Sequence, residues 1–129
     1  MKSWRLQELD LKSRLPEILS SNADARAVAL DLAAGESLNE HEVHERTWLV
    51  VLDGEVEVSA AGESARGGVG MLVELPPSER HEVRAASNAR VLLLLTPWPG
   101  RGHPGAMTLT QKLYARRRAA KKGAARRGI

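Results

Sequence analysis

From Arg26 onward the chain alternates. Val28, Leu30 and Leu32 are spaced by Ala27, Ala29 and Asp31, a period of two that predicts a half-buried strand. Ala33-Ala34-Gly35 reads as a turn. A second strand includes Thr47 to Leu52 and runs into Asp53-Gly54, a dipeptide that predicts a hairpin. On the return, Val56 and Val58 alternate with Glu55 and Glu57, and Ala61-Gly62-Glu63 turns the chain again. Gly67, Gly68 and Gly70 loosen it before Met71 to Leu75, and Pro76-Pro77-Ser78 makes a further turn. Strands follow over His81 to Ala86 and Arg90 to Thr96. Ala89 to Leu95 is apolar except for Arg90, which reads as a strand covered on both faces. Short strands at roughly ten-residue spacing, punctuated by Gly and Pro, predict an all-β sandwich or barrel.

The ends of the chain follow other rules. Residues 1–24 carry Leu6, Leu9, Leu11, Leu15, Ile18 and Leu19 among charges. Leu11, Leu15, Ile18 and Leu19 have helical spacing, but Pro16 limits a helix there to a turn or two. Ser20 to Asp24 reads as a loop, so this segment is expected to cover one edge or end of the sheet. Residues 25–97 form the barrel. Residues 98–107, with Pro97 before them, make a Gly/Pro connector. Within 108–129, Thr108-Leu109-Thr110-Gln111 has capping-box spacing, and Leu109 and Leu113 begin a narrow apolar stripe. A basic C-terminal helix and tail are expected there.

Composition narrows the chemistry. A chain of 129 residues is one domain on size. It has no cysteine, so disulfides and zinc–thiolate sites are excluded, and a metal would have to rest on His and carboxylates. The start, MKSWRLQELDLKSRLPEI, lacks the apolar core of a signal peptide. The longest apolar run, Val91 to Leu95, is far short of a membrane span. A cytoplasmic protein is the expectation, with no membrane partner.

Charge is segregated. Residues 1–100 hold ten basic and sixteen acidic side chains, whereas residues 101–129 hold nine basic and none acidic. An acidic body of −6 therefore carries a basic tail of +9. The run from Arg116 to Arg127 could contact the phosphates of a nucleic acid, but it lacks interleaved aromatics or a reading helix. Packing of the tail against the acidic body, its own or a partner's, ranks above nucleic acid.

Two spacings carry a family resemblance. Gly35, five residues, His41 and then Gly54 thirteen residues later resemble the first cupin motif: Gly, five residues, His-x-His, three or four residues, Glu, six residues, Gly. Gly70, five residues, Pro76, one residue, Ser78 (where the family has Gly), two residues and His81 resemble the second. The resemblance spans roughly residues 25–97. It implies a cupin-type jelly-roll β-barrel with a pocket open at one end, with the short N-terminal segment and the basic helix outside it. It also implies a pocket lined by His41, Val43, Thr47, Leu49, Val51, His81 and Val83.

In metal-bearing cupins, two histidines and a glutamate of the first motif and a histidine of the second bind one divalent ion. His41 matches the first of these positions and His81 the last. Val43 stands where the second histidine would be and Thr47 where the glutamate would be. On a regular strand, residues 41, 43, 45 and 47 share one face and His44 takes the other. A bulge would turn His44 inward. The set His41, His44 and His81 could then hold Fe, Mn, Zn or Ni, with Glu42 or Glu45 as fourth ligand or base. The competing expectation is that His41 and His81 are pocket-lining polar groups hydrogen-bonded to each other or to water. His103, in the connector, is expected at the surface.

Trp48, Val50 and Leu52 take the other face of their strand. Since cupins commonly pair through an outer sheet face, a homodimer is implied, although packing beneath the N-terminal segment or the Trp98 connector accounts for the same residues. No nucleophile elbow or nucleotide motif is present, and Gly67 to Gly70 reads as a turn. The leading expectation is a barrel that binds a small organic ligand. A mononuclear metal-dependent enzyme of dioxygenase or isomerase type is one alternative. An interaction protein acting through its basic tail, on nucleic acid or a partner protein, is the other.

Overall fold

Strands with one buried face need a second sheet to bury it against, and the chain supplies one. In the computed structural model the described residues are 1–41 and 43–100, with 39–41 described as backbone only. The expected basic helix over 108–129, the connector beyond Gly100, His103 and Glu42 lie outside them. Among the described residues a 3₁₀ turn at Leu6–Glu8 precedes nine strands. These are β1 (Glu17–Ser21), β2 (Arg26–Leu32), β3 (Ser37–His41), β4 (Arg46–Asp53), β5 (Val56–Ala60), β6 (Glu63–Gly67), β7 (Leu72–Leu75), β8 (His81–Ala85) and β9 (Ala89–Thr96). One sheet has the order β1-β2-β9-β4-β7, the other β3-β8-β5-β6. Every named pair is antiparallel. The fold is an all-β jelly roll, and no helix among the described residues is long and apolar enough to cross a membrane.

The core lies between the sheets. Val28, Leu30 and Leu32 of β2, Leu49 and Val51 of β4, and Val91, Leu93 and Leu95 of β9 face Val56 and Val58 of β5 and Val83 of β8. Each such side chain contributes about 1.5–3 kcal/mol on burial. Their period of two sets the register, since a slip by one residue would turn every one of them to solvent.

Four local expectations change. Ala89 to Leu95 is covered on one face, not both: burial alternates along β9, and Arg90, Leu92 and Leu94 lie on its half-exposed outer side. Asp53-Gly54 turns the chain but makes no hairpin, because β4 and β5 belong to different sheets. Gly54 has φ +70°, and a Cβ there would lie 2.0 Å from the Asn88 carbonyl oxygen, so the corner is tight as well as left-handed. Leu11 and Leu15 build no helix. Ile18 belongs instead to β1, which takes up the free edge of β2, where a strand gains ladder bonds that a proline-limited turn could not make. Finally, β3 and β6 were not expected, because neither carries an apolar alternation. β6, fully exposed except at Gly67, is held by its pairing to β5 through a two-residue loop, Ala61-Gly62, with φ +51° and +76°.

The N-terminal segment is tied to the outer side of the first sheet. Arg90 donates two hydrogen bonds to Asp31, at 2.7 and 2.9 Å, and a third to the Leu6 carbonyl at 2.8 Å. This fork raises the pKa of the Arg90 guanidinium, chiefly through the Asp31 hydrogen bonds. Further along, Arg14 N–H donates to the Asp31 carbonyl, and the Ser13 hydroxyl donates to Glu36.

Candidate functional site

The inward phase of β4 extends beyond the strand's first residue. Val43, Glu45, Thr47, Leu49 and Val51 are all buried, at 5, 1, 2, 0 and 1% exposure. Deep in the barrel this phase is aliphatic. At the end where β4 begins, it turns polar.

The neighbouring strands reach the same end. Thr47 lies opposite Leu75 of β7 and Leu95 of β9, and Arg26 lies opposite Leu95. His81 opens β8 and lies opposite His41, the last residue of β3. Glu45, Thr47 and His81 are the buried polar residues among those described. The His81 Nδ1 atom is 3.2 Å from the Glu79 carbonyl oxygen. A carbonyl only accepts, so Nδ1 carries the proton in that contact.

A strap closes over this end. After β9 the chain runs Pro97-Trp98-Pro99-Gly100, with cis bonds at Thr96-Pro97 and Trp98-Pro99. Trp98 packs on the core, and the Arg26 guanidinium stands 3.8 Å from its ring centroid, a cation–π contact. The Gly100 N–H donates to Glu45 Oε2 at 2.5 Å. A Cβ on Gly100 would lie 2.6 Å from the His44 carbonyl oxygen, so the backbone approaches as closely as only glycine permits. On the other side, Ser78 N–H donates to the Val43 carbonyl at 2.7 Å. Ser78 has φ +63°, which accounts for the family's glycine at this position.

Two atoms at this end stand out. Glu45 Oε1 and Thr47 Oγ1 are buried with no hydrogen-bond partner among the described residues. Leaving such a group unsatisfied costs about 1–3 kcal/mol, and more for a charged one. An aliphatic pair would be more stable here. Ligand pockets combine such sparse polar atoms with an apolar lining.

The structure places the expected site residues in three groups. Val43, Thr47 and His81 gather at the polar end, and the β3–β8 register brings His41 opposite His81. Leu49, Val51 and Val83 sit deeper, within the packed core. His44 is half-buried in a bend between buried Val43 and Glu45, on the opposite phase. The family's four-ligand metal arrangement does not fit this end. Its second position is the aliphatic Val43 and its third an alcohol. Among the described residues no three His, Asp or Glu side chains come together to hold an ion.

Sequence reasoning gave Glu45 only a secondary place, and Arg26, Trp98 and Gly100 none in the site. The parity of Glu45 with Val43 and Thr47 was the available signal. Nothing local marks Gly100, which meets Glu45 across 55 residues of chain.

Two of the clefts among the described residues lie away from this end. One, of about 360 Å³, runs between the N-terminal segment and the first sheet, beside Gln7, Ser13, Asp31 and Arg90. The other, of about 830 Å³, lies between the β5–β6 loop and residues 78–82. On the outer face of the first sheet, Trp48 and Val50 of β4 lie beside Leu94 and Leu92 of β9, while Gln7 donates to the Leu52 carbonyl at 3.0 Å.

Comparison with known proteins agrees with this architecture. A family profile described as "Cupin domain" matches residues 29–97, more than half of the chain. An RmlC-like cupin protein from Desulfovibrio desulfuricans superposes with a TM-score of 0.68 at 27% identity, covering 75% of this chain and 97% of that one. A conserved protein with a double-stranded β-helix domain from Klebsiella pneumoniae gives a TM-score of 0.69 at 15% identity, over 78% and 93% of the two chains. KdgF from Halomonas sp. gives 0.62 at 23%, over 70% and 90%. No curated protein matches the sequence.

Proposed function

The chain belongs to the cupin family, and from that premise we propose that its barrel binds a small organic ligand at the end covered by the 97–100 strap. The fold alone does not choose among the many roles such barrels serve, so the reading rests on the site. One observation carries it: the buried polar residues Glu45, Thr47 and His81 lie at a single end of an otherwise aliphatic interior, and two of their oxygens have no partner among the described residues. A ligand that fills this end would satisfy atoms that the described residues leave unsatisfied. The test is a fragment screen by ¹⁵N-resolved NMR on the full chain. Binding at this end shifts the amides of Thr47, His81 and Gly100 together. Hits that move only amides in the clefts at Arg90 or Glu82 would overturn it.

The metal-dependent alternative is decided on the same preparation by elemental analysis. One equivalent of Fe, Mn, Zn or Ni, lost on His81→Ala, would replace the ligand-binding reading with a metal centre.

The apolar outer face formed by Trp48, Val50, Leu92 and Leu94 supports a second proposal, that two copies of the chain pair through the first sheet. A mass measured by light scattering that stays dimeric in Trp48→Glu would refute it.

A further inference from the structure

The two unpartnered oxygens say more about the ligand than that it exists. Resting on the barrel-binding reading above, we infer that the ligand is anchored by a paired hydrogen-bond donor, a primary ammonium or a vicinal diol, accepted jointly by Glu45 Oε1 and Thr47 Oγ1.

Both atoms are oxygens, buried, and lack a partner among the described residues. A carboxylate oxygen can only accept, and a threonine hydroxyl accepts readily. The pair therefore asks for donors. Glu45, in the bend just before β4, and Thr47, the second residue of that strand, are two residues apart in sequence and both buried. The longer glutamate side chain can turn toward the threonine across that spacing. One small group, or two adjacent atoms, can then reach both oxygens.

The carboxylate is also held in place. Oε2 already accepts the Gly100 N–H, and the walls beside Thr47 are Leu75 and Leu95. A fixed acceptor in an apolar wall loses little freedom on binding. The same arrangement rejects anions, because a ligand carboxylate or phosphate would face Glu45 at short range without water between them. Selection by donors and against negative charge is the specificity this geometry encodes.

The experiment uses the ¹⁵N-labelled full chain with four probes: ethanolamine, cis-1,2-cyclohexanediol, propionate and toluene. Ethanolamine or the diol is expected to shift the Thr47 and Gly100 amides, and propionate to leave them unmoved. Thr47→Val is isosteric and should weaken the effective probe about tenfold. Glu45→Gln separates the two donors, since its amide oxygen still accepts but carries no charge: an ammonium loses its binding, whereas a diol keeps most of it. Both variants are checked for an intact amide spectrum, and Thr47→Val alone suffices if Glu45→Gln is disordered. Propionate binding as well as the donors do, or probe affinities unchanged in both variants, would overturn the donor rule. Shifts at this end from toluene alone would overturn it too while leaving a ligand-binding barrel, and no shift from any probe would remove both readings.

Discussion

The amide of Gly100 lies 2.5 Å from Oε2 of Glu45, so the last described residue of the chain is bonded to a carboxylate buried where β4 begins. This contact ties the strap to the barrel and fixes which glutamate oxygen is left to face inward. Gly100→Ala would push a methyl group to within 2.6 Å of the His44 carbonyl oxygen. It is expected to lower stability by about 1–3 kcal/mol, the usual range for overpacking, as measured by urea unfolding. An unchanged midpoint would show that the strap does not close on β4 in solution.

Thr47→Val should have the opposite sign. It keeps the shape and removes a buried hydroxyl that has no partner among the described residues, so the apo protein is expected to gain about 1 kcal/mol. A higher melting temperature beside weaker ligand binding would identify Thr47 as a residue kept for function at the expense of stability. A lower one would mean that the hydroxyl is hydrogen-bonded in solution.

Two non-glycine residues hold left-handed backbone in turns, Ala61 at φ +51° and Ser78 at φ +63°. Ala61→Asn, which suits the first position of the two-residue β5–β6 loop, and Ser78→Gly should each raise stability by about 0.5–1 kcal/mol. Thermal melting of each single variant is the check, and a lowered melting temperature would remove the strain argument.

The Arg90–Asp31 fork fastens the N-terminal segment through the Leu6 carbonyl. Arg90→Leu strands Asp31 and frees that carbonyl. With side-chain exposures of 13 and 27%, the pair is screened in part, and a loss of about 1–2 kcal/mol is expected. Limited proteolysis should then cut within residues 1–14 faster than in the native chain. Equal cutting rates would place the anchor elsewhere.

Acid should loosen the same region. The Ser13 hydroxyl first, then the Ala33 N–H, hold the Glu36 carboxyl below its ordinary value of 4.5, with Arg14 assisting. A depressed carboxyl contributes stability above its unfolded pKa and loses that contribution as pH falls through the lower folded value. The melting temperature is therefore expected to drop more steeply below pH 4.5 in the native chain than in Glu36→Gln. Parallel curves would remove Glu36 from the account.

The parts of the fold legible in the sequence were those dictated by burial. Val28-Leu30-Leu32 and Val56-Val58 announced half-buried strands because a period of two has one physical solution. What pairing alone decides stayed hidden. Nothing in Glu63 to Gly67 favours a strand until β5 lies beside it, and Asp53-Gly54 is a good turn whether or not its flanking strands pair. Part of the candidate site was marked in the sequence. The motif spacing led to His41, Thr47 and His81, and parity put Glu45 on the inner face. That Glu45 meets the backbone of Gly100 depends on where β9 delivers the chain, which no local pattern encodes.

The stacking of Arg26 on Trp98 gives the protein an optical reporter. Indole emission responds to a nearby cation and to the polarity of its surroundings, and this indole sits on the strap itself. Trp4 is 42% exposed, and Trp48 faces outward from β4. With both replaced by phenylalanine, the remaining fluorescence would report on the surroundings of the strap alone, without any attached dye.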